Sequence, residues 1–184
     1  MLYTRKGDGG TTCFFGCDQR FSKSSERAEA LGAVDEINSL LGFCKVRAKG
    51  SNLKVNQPVV SLENILGQVQ QDLFVVQAQL AGADKKISKE KIGYLEKIIN
   101  GIEKEIPPIR NFIMSGGSEL SALFDYSRAV ARRIERRVLV LDEKIEKVDP
   151  LVIAYLNRLS SLLYALARLV NFKLKTKEET PSYK

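Results

Sequence analysis

Two stretches of the sequence combine residue types that bind anions, and the first lies close to the amino terminus. Tyr3–Thr12 reads YTRKGDGGTT, in which three glycines stand among hydroxyl and cationic side chains. Glycine lets backbone N–H groups converge without obstruction, and converging N–H groups beside cations suit an anion such as phosphate. The GxxxxGK[ST] spacing of a Walker loop is absent and no strand is predicted before the stretch. A flexible polar terminus is the alternative interpretation.

The second stretch is a run of arginines predicted to lie on one helix. Five arginines and one glutamate fall between Arg128 and Arg137, which places +4 of the net charge of +7 in a short segment. Arg128, Arg132 and Glu135 have i, i+4, i+7 spacing and therefore share a helix face. A row of guanidinium groups with its own carboxylate suits the oxygens of an oligophosphate. The alternative is an exposed basic face without a ligand.

Two further polar rows could complete a ligand site. Asn157 lies in an otherwise apolar helical run, with Ser161 and Tyr164 at i+4 and i+7. This row could hydrogen-bond a sugar or a base, or it could satisfy hydrogen bonds within the core of a helical bundle. Asp35 belongs to a polar row on the first predicted helix and is a candidate counter-ion for an arginine. Carboxylates in such positions are more often structural than catalytic.

Composition excludes several kinds of chemistry. The chain contains no histidine, which removes histidine acid–base catalysis and the Ser–His and Cys–His nucleophiles. Its three cysteines, Cys13, Cys17 and Cys44, cannot all pair and are expected to be free thiols. No apolar run is predicted to span a bilayer and no signal peptide is recognised, so a cytoplasmic location is expected. The positive charge fits nucleic acid, a membrane surface or a small anionic substrate.

Helical periodicity recurs along the chain, whereas the alternation typical of strands is scarce. Five helices are predicted, and the residues expected in their first turns or at their caps are Ser24 or Ser25, Pro58, Ser88, Ser118 and the pair Asp149–Pro150. Short connections between them predict an all-α, up-and-down five-helix bundle. A single domain over 1–184 is expected, with a long loop over 1–23, the bundle over 24–175 and a loose polar tail over 176–184.

Four blocks of the sequence resemble the PduO-type ATP:cob(I)alamin adenosyltransferases, in the order found in that family. The blocks are YTRKGDGGTT, KSSERAEALGAVDEINS, FIMSGGSELSALFDYSRAVARRIERRV and YLNRLSSLLYALAR. The resemblance implies a ferritin-like bundle of the cobalamin-adenosyltransferase type that assembles as a homotrimer with active sites between subunits. It also implies ATP and cobalamin as substrates, Mg²⁺ held by the phosphates, and a cobalamin reductase as a candidate partner. Nucleic acid and membranes are not expected partners.

The same resemblance assigns roles to individual residues. Residues implied to bind the ATP phosphates from the amino-terminal segment are Thr4, Arg5, Gly7, Asp8, Gly10, Thr11 and Lys23. Arg128, Arg132, Glu135 and Asn157 match the ATP-contacting residues of two helices. Asp35 matches an aspartate that pairs across a subunit boundary with the position equivalent to Arg128.

Phe112 matches an aromatic residue placed beside the corrin ring, where it keeps the lower axial ligand away and so favours a four-coordinate cobalt(II) form. A hydrophobic staple before the fourth helix is the alternative for this side chain. Two departures from the family pattern border this region: Ser115 replaces a proline, and Asp125 stands in place of a common histidine.

The implied reaction is attack by cob(I)alamin on the 5′ carbon of ATP, with triphosphate as the leaving group. The nucleophile belongs to the corrinoid, so the protein needs no histidine and no proton shuttle. Two other functions remain open. A nucleotide sensor would bind ATP without a corrinoid, and a nucleic-acid-binding bundle would use the arginine helix on a phosphate backbone.

Overall fold

The computed structural model describes residues 2–16 and 18–183, so the prediction for the Cys17 thiol lies outside the described residues. Helices dominate this part of the chain, together with two short antiparallel hairpins. The elements in chain order are β1 Thr11–Cys13, β2 Arg20–Ser22, α1 Glu26–Ala48, β3 Lys54–Asn56, β4 Val59–Ser61, α2 Leu62–Leu80, α3 Lys89–Glu103, α4 Glu119–Lys144 and α5 Pro150–Lys173. The predicted five-helix bundle is confirmed.

Capping residues explain most helix starts. Ser25 and Ser118 accept hydrogen bonds from backbone N–H groups three residues ahead, and Asp149 accepts from Leu151 with Pro150 in the first turn. These caps occupy orphan donors at the helix ends, as the sequence predicts. Ser88 precedes α3 as expected, but its side chain makes no capping hydrogen bond.

The start of α2 was predicted wrongly. Pro58 does not lie in its first turn, because it belongs to the connection between β3 and β4, and Ser61 caps the helix instead. This hairpin docks on α3 at Gly101, where an added Cβ would lie 1.9 Å from the Gln57 carbonyl oxygen. Tertiary contact with α3 therefore overrides the helix-start preference of proline.

Helix α5 has more buried residues than any other helix and packs against α4 and α3, while α1 packs against α4 and α2. Helices α1 and α4 run antiparallel, since Arg47 pairs with Glu119 at one end and Glu29 pairs with Arg137 towards the other. The apolar stripe predicted for α4 is buried, and it consists of Leu120, Phe124, Val130, Ile134, Val138 and Leu141.

By length and composition α5 is apolar enough to cross a membrane, which corrects the expectation that no such run exists. More than half of its most apolar window is buried inside the bundle. That burial is what the core helix of a bundle requires.

A buried polar cluster fastens α2 to α3 and α5. Asp72 is fully buried, accepts hydrogen bonds from Gln68 Nε2 at 3.0 Å and Tyr155 Oη at 3.2 Å, and pairs with Lys91. Burial, together with the nearby Asp72 carboxylate, raises the pKa of Tyr155 well above its ordinary value of 10.0. Because these three side chains pair with the Asp72 carboxylate, its role is structural.

The carboxyl-terminal tail was expected to be loose, and the described part of it is held instead. Its Glu178 carboxylate accepts from Arg168 Nη1 at 2.8 Å, and the Glu179 carbonyl accepts from the Met114 amide at 2.8 Å. The tail is polar, which predicts a loose segment, but its polar groups form these contacts with the bundle.

Candidate active site

A cavity of about 480 Å³ lies where α3, α4 and α5 meet the segment before α4. Arg128 and Arg132 enter it from α4, Ser161 and Tyr164 from α5, and Phe112 from the preceding segment. The remaining wall is mostly apolar and rich in isoleucine, and it also contains the polar side chains of Glu103 and Ser160. One cavity thus receives two of the predicted arginines and the predicted aromatic residue.

Arg128 is held by an aromatic contact. Its guanidinium carbon lies 5.7 Å from the centre of the Tyr164 ring, within the range of a cation–π interaction. Its Nε is buried and has no hydrogen-bond partner among the described residues. Arg132 is more exposed, and its carbonyl accepts from Arg136 Nη1 at 3.0 Å. Donors of these two arginines are therefore available to an anion in the cavity.

The polar row of α5 is tied to α4 by a chain of hydrogen bonds. Asn157 Nδ2 donates to Glu135 Oε1 at 2.9 Å, and Asn157 Oδ1 accepts from Arg158 Nη1 at 3.0 Å. Arg158 in turn pairs with Glu96 of α3 at 2.8 Å. Both ends of the Asn157 amide are thereby oriented. The pairing of Arg158 with Glu96 was not predicted, because it joins helices far apart in the sequence.

The arginine run divides into two groups. Arg133 pairs with Glu36 at 2.5 Å and Arg137 pairs with Glu29 at 2.7 Å, which fastens α4 to α1. The hydrogen bond and charge of Glu36 raise the pKa of Arg133. These two arginines serve the helix interface, whereas Arg128 and Arg132 face the cavity.

Phe112 has 81% of its surface exposed. A hydrophobic staple would pack its ring against the first turns of α4, so this exposure speaks against that alternative. The ring instead borders the cavity that contains Arg128 and a neighbouring cleft lined by tail residues such as Pro181.

The amino-terminal segment forms a compact loop closed by the β1–β2 hairpin. Arg20, which was not predicted, donates to Thr11 Oγ1 at 2.7 Å, to the Thr11 carbonyl at 2.8 Å and to the Lys6 carbonyl. Lys23 packs so closely against Gly7 that an added Cβ would meet its Nζ at 2.9 Å. From the sequence, Arg20 could be recognised only as one more cation within the predicted loop.

Backbone N–H groups of this loop are partly used within it. The Asp8 amide donates to the Arg5 carbonyl at 3.2 Å and the Gly10 amide to the Gly7 carbonyl at 3.1 Å. Arg5 has a φ of 59°, a left-handed conformation that its short turn requires. Thr4, Arg5 and Asp8 are exposed, so their side chains can reach a ligand.

One chain does not bring the loop and the arginine cavity together. Arg27, four residues after Lys23, pairs with Glu146 beyond the end of α4. About 18 Å of helix separates Arg132 from Lys144 at that end. Asp35 accepts from Gln77 Nε2 at 3.4 Å and has no arginine within ion-pair distance among the described residues. The predicted residues thus form two separate groups.

Over residues 2–16 and 18–183, no cluster of three acidic or cysteine side chains could hold a metal ion. Glu103 is the one carboxylate among the residues that line the cavity, and Glu135, which follows Arg132 on α4, is engaged by Asn157. The donor set therefore fits a metal that arrives on a phosphate ligand better than one held by the protein alone.

The fold and the cavity define an all-α bundle whose cationic side chains gather between α4 and α5. A model of the cobalamin adenosyltransferase family matches residues 2–170, and the chain belongs to that family. The predicted resemblance is confirmed. Corrinoid adenosyltransferase PduO of Citrobacter freundii is 38% identical over 91% of this chain, which spans 49% of that relative's length. A Bacillus subtilis corrinoid adenosyltransferase is 36% identical over 92% of this chain and 86% of its own.

Solved structures give the same result. The chain is similar to an F112H variant of the PduO-type ATP:corrinoid adenosyltransferase from Lactobacillus reuteri complexed with cobalamin and ATP. The TM-score is 0.87 and the sequence identity is 29%, and the match covers 100% of this chain and 97% of that one. An R132K variant complexed with ATP gives 0.85 and 29%, over 98% of this chain and 100% of that one. These likenesses confirm the predicted fold.

Proposed function

We propose that the protein transfers the 5′-deoxyadenosyl group of ATP to cob(I)alamin and releases triphosphate. The observation that carries the proposal is the cavity whose lining includes Arg128, Arg132 and Phe112. Two cations suit the leaving polyanion, and an exposed aromatic ring suits a flat macrocycle. The chain spans about half the length of the PduO relatives, and its solved relatives were complexed with cobalamin and ATP.

The protein contributes alignment and charge stabilisation to this reaction. Arg128 and Arg132 hold the triphosphate as negative charge gathers on it, and Asn157 orients the nucleoside with an amide that Glu135 and Arg158 fix. The loop residues Thr4, Arg5, Gly7, Asp8, Gly10, Thr11 and Lys23 supply further phosphate contacts. Mg²⁺ bound to the phosphates would neutralise part of their charge.

We further propose that each site is formed by two chains of a homotrimer. The loop and the arginine cavity lie apart in one chain, so a second copy must bring its loop to the cavity. Asp35 of one copy then pairs with Arg128 of the next, whose buried Nε lacks a partner within the described chain. A cobalamin reductase would deliver the cobalt(I) state, and the cytoplasm is the expected location.

A nucleic-acid-binding role is disfavoured by the ion pairs of the arginine helix. Arg133 and Arg137 are neutralised by Glu36 and Glu29, which breaks the continuous basic face that a phosphate backbone requires. A nucleotide sensor differs from an adenosyltransferase only in lacking the corrinoid reaction.

The decisive experiment combines purified protein with ATP, Mg²⁺ and chemically reduced cobalamin while the visible spectrum is recorded. A light-sensitive alkylcobalamin is expected, and the Arg132→Ala protein provides the matched control. ATP binding without this product would favour the sensor and overturn the proposal.

A further inference from the structure

The backbone of Gly116 is held on both sides by side chains of α4 and α5. Its N–H donates to Asp125 Oδ2 at 3.0 Å. Its carbonyl accepts from Ser121 Oγ and from Asn171 Nδ2, each at 2.9 Å. All three side chains are buried. A loop residue whose N–H and carbonyl are both hydrogen-bonded to buried side chains has little freedom to move.

Asp125, Ser121 and Asn171 together form a clamp on Gly116, and the Asp125 carboxylate is itself fixed by a buried cation. Arg168, only 2% exposed, donates from Nη2 to Asp125 Oδ2 at 2.6 Å, and from Nη1 to Glu178 at 2.8 Å. Removing one member of a buried ion pair leaves an uncompensated charge, which is strongly unfavourable. Asp125 therefore keeps its position, and the Gly116 amide is held with it.

The turn also lies directly against α5. Gly117 has a φ of +100°, and an added Cβ would come within 2.6 Å of the Asn171 side chain. The Asn171 Oδ1 accepts from the Ser118 amide at 3.1 Å, at the start of α4. Glycine is required here by both backbone conformation and space.

The clamp is connected to the arginine cavity through one aromatic ring. The guanidinium carbon of Arg168 lies 5.3 Å from the centre of the Tyr164 ring, which Arg128 also contacts. Phe112 lies four residues before Gly116, at the mouth of the same cavity. The segment that carries Phe112 is thus joined to a fixed turn, and this turn lies beside the helices that carry Arg128 and Tyr164.

We propose that Asp125, Ser121, Arg168 and Asn171 are positioning residues that hold the Gly116 turn and thereby set the place of Phe112 relative to Arg128. This inference rests on the proposed function for its catalytic consequence. Its structural part, the restriction of the Phe112 segment, can be measured without any substrate.

The first test uses ligand-free protein. The chain contains no tryptophan, so a Phe112→Trp substitution introduces a single fluorescent reporter. Ser121→Ala and Asp125→Asn are then added separately. Each removes or weakens one hold on the turn, and we expect faster local motion of the reporter, seen as lower fluorescence anisotropy. Asp72→Asn alters another buried, cation-paired carboxylate and serves as the control, with unchanged anisotropy expected.

The second test uses the protein with phenylalanine retained at 112, together with ATP and cob(II)alamin. Ser121→Ala and Asp125→Asn are expected to lower the ratio of four- to five-coordinate cobalt(II) about two- to tenfold, the range for loss of one hydrogen bond. The dissociation constant of ATP should stay unchanged in both variants. Thermal unfolding of all variants, including Asp72→Asn, is measured in parallel.

The outcomes separate the two proposals. Loss of anisotropy and of four-coordinate cobalt in the clamp variants, but not in Asp72→Asn, supports the positioning role. Equal changes in Asp72→Asn would mean that the effect is general destabilisation, and this would overturn the positioning role. Unchanged anisotropy in both clamp variants would overturn it as well. If the unsubstituted protein makes no adenosylcobalamin, the proposed function fails while the anisotropy result still decides the clamp.

Discussion

Arg128 lies over the Tyr164 ring, with 5.7 Å between its guanidinium carbon and the ring centre, and its buried Nε has no partner among the described residues. An aromatic face holds the cation in place without neutralising its charge. The guanidinium is therefore positioned to bind an anion in the cavity.

Arg132→Ala is expected to reduce turnover about 10²- to 10³-fold, the loss typical of one electrostatic contact to a transition state. Arg137→Ala is the matched control, since it breaks only the partly exposed pair with Glu29, and such pairs contribute about 0–1 kcal/mol to stability. Steady-state adenosylation assays compare the two. Similar losses in both variants would contradict the division of the arginine run.

If the Phe112 ring keeps the lower axial ligand away from cobalt, as the family resemblance implies, Phe112→Ala is expected to slow turnover that starts from cobalt(II). The affinity for ATP, measured by calorimetry, should not change. Phe74→Ala, which removes another exposed ring from α2, is the control. A large defect in ATP binding would show that Phe112 has a different role.

Glu135→Ala is expected to raise the KM for ATP about two- to tenfold, because the Asn157 amide loses the acceptor that orients it. Glu135→Gln keeps an acceptor oxygen and should remain close to the unsubstituted protein. Initial-rate measurements over a range of ATP concentrations distinguish the variants. Equal defects in both would mean that charge, and not orientation of Asn157, is the property that matters.

Coexpression of Lys23→Ala chains with Arg132→Ala chains is expected to restore activity that neither variant has alone. Random assembly of equal amounts would give about one quarter of sites with both native contributions, if each site joins the loop of one copy to the arginines of another. Specific activity and sedimentation of the mixed oligomer provide the test. No restoration in a correctly assembled trimer would place both residues in sites formed by one chain.

Alkaline pH is expected to destabilise the protein partly through Tyr155. Its pKa is raised in the folded state by burial and by Asp72, so this contribution is fully present below pH 10.0, the value for an unperturbed tyrosine. It is lost as the pH rises above 10.0 towards the folded pKa, because the unfolded state then releases its proton first. Urea unfolding of Tyr155→Phe should show a smaller loss of stability above pH 10.0 than the unsubstituted chain.

Local sequence determined the helical elements and most of their starts. Apolar periodicity marks α4 as amphipathic, while serine and aspartate caps satisfy backbone donors within a few residues of themselves. The candidate site residues were recognisable for a similar reason, since Arg128, Arg132 and Glu135 lie on one face of one helix. Their pattern is set by the geometry of a single element.

Only the tertiary structure decided which arginines face the cavity and which pair with α1, because Glu29 and Glu36 are distant in sequence from Arg137 and Arg133. The same holds for Pro58, whose hairpin is docked on α3, and for Asp125, whose neighbours Gly116 and Arg168 come from different elements. Contacts between distant segments depend on how helices pack, and no local periodicity contains that information.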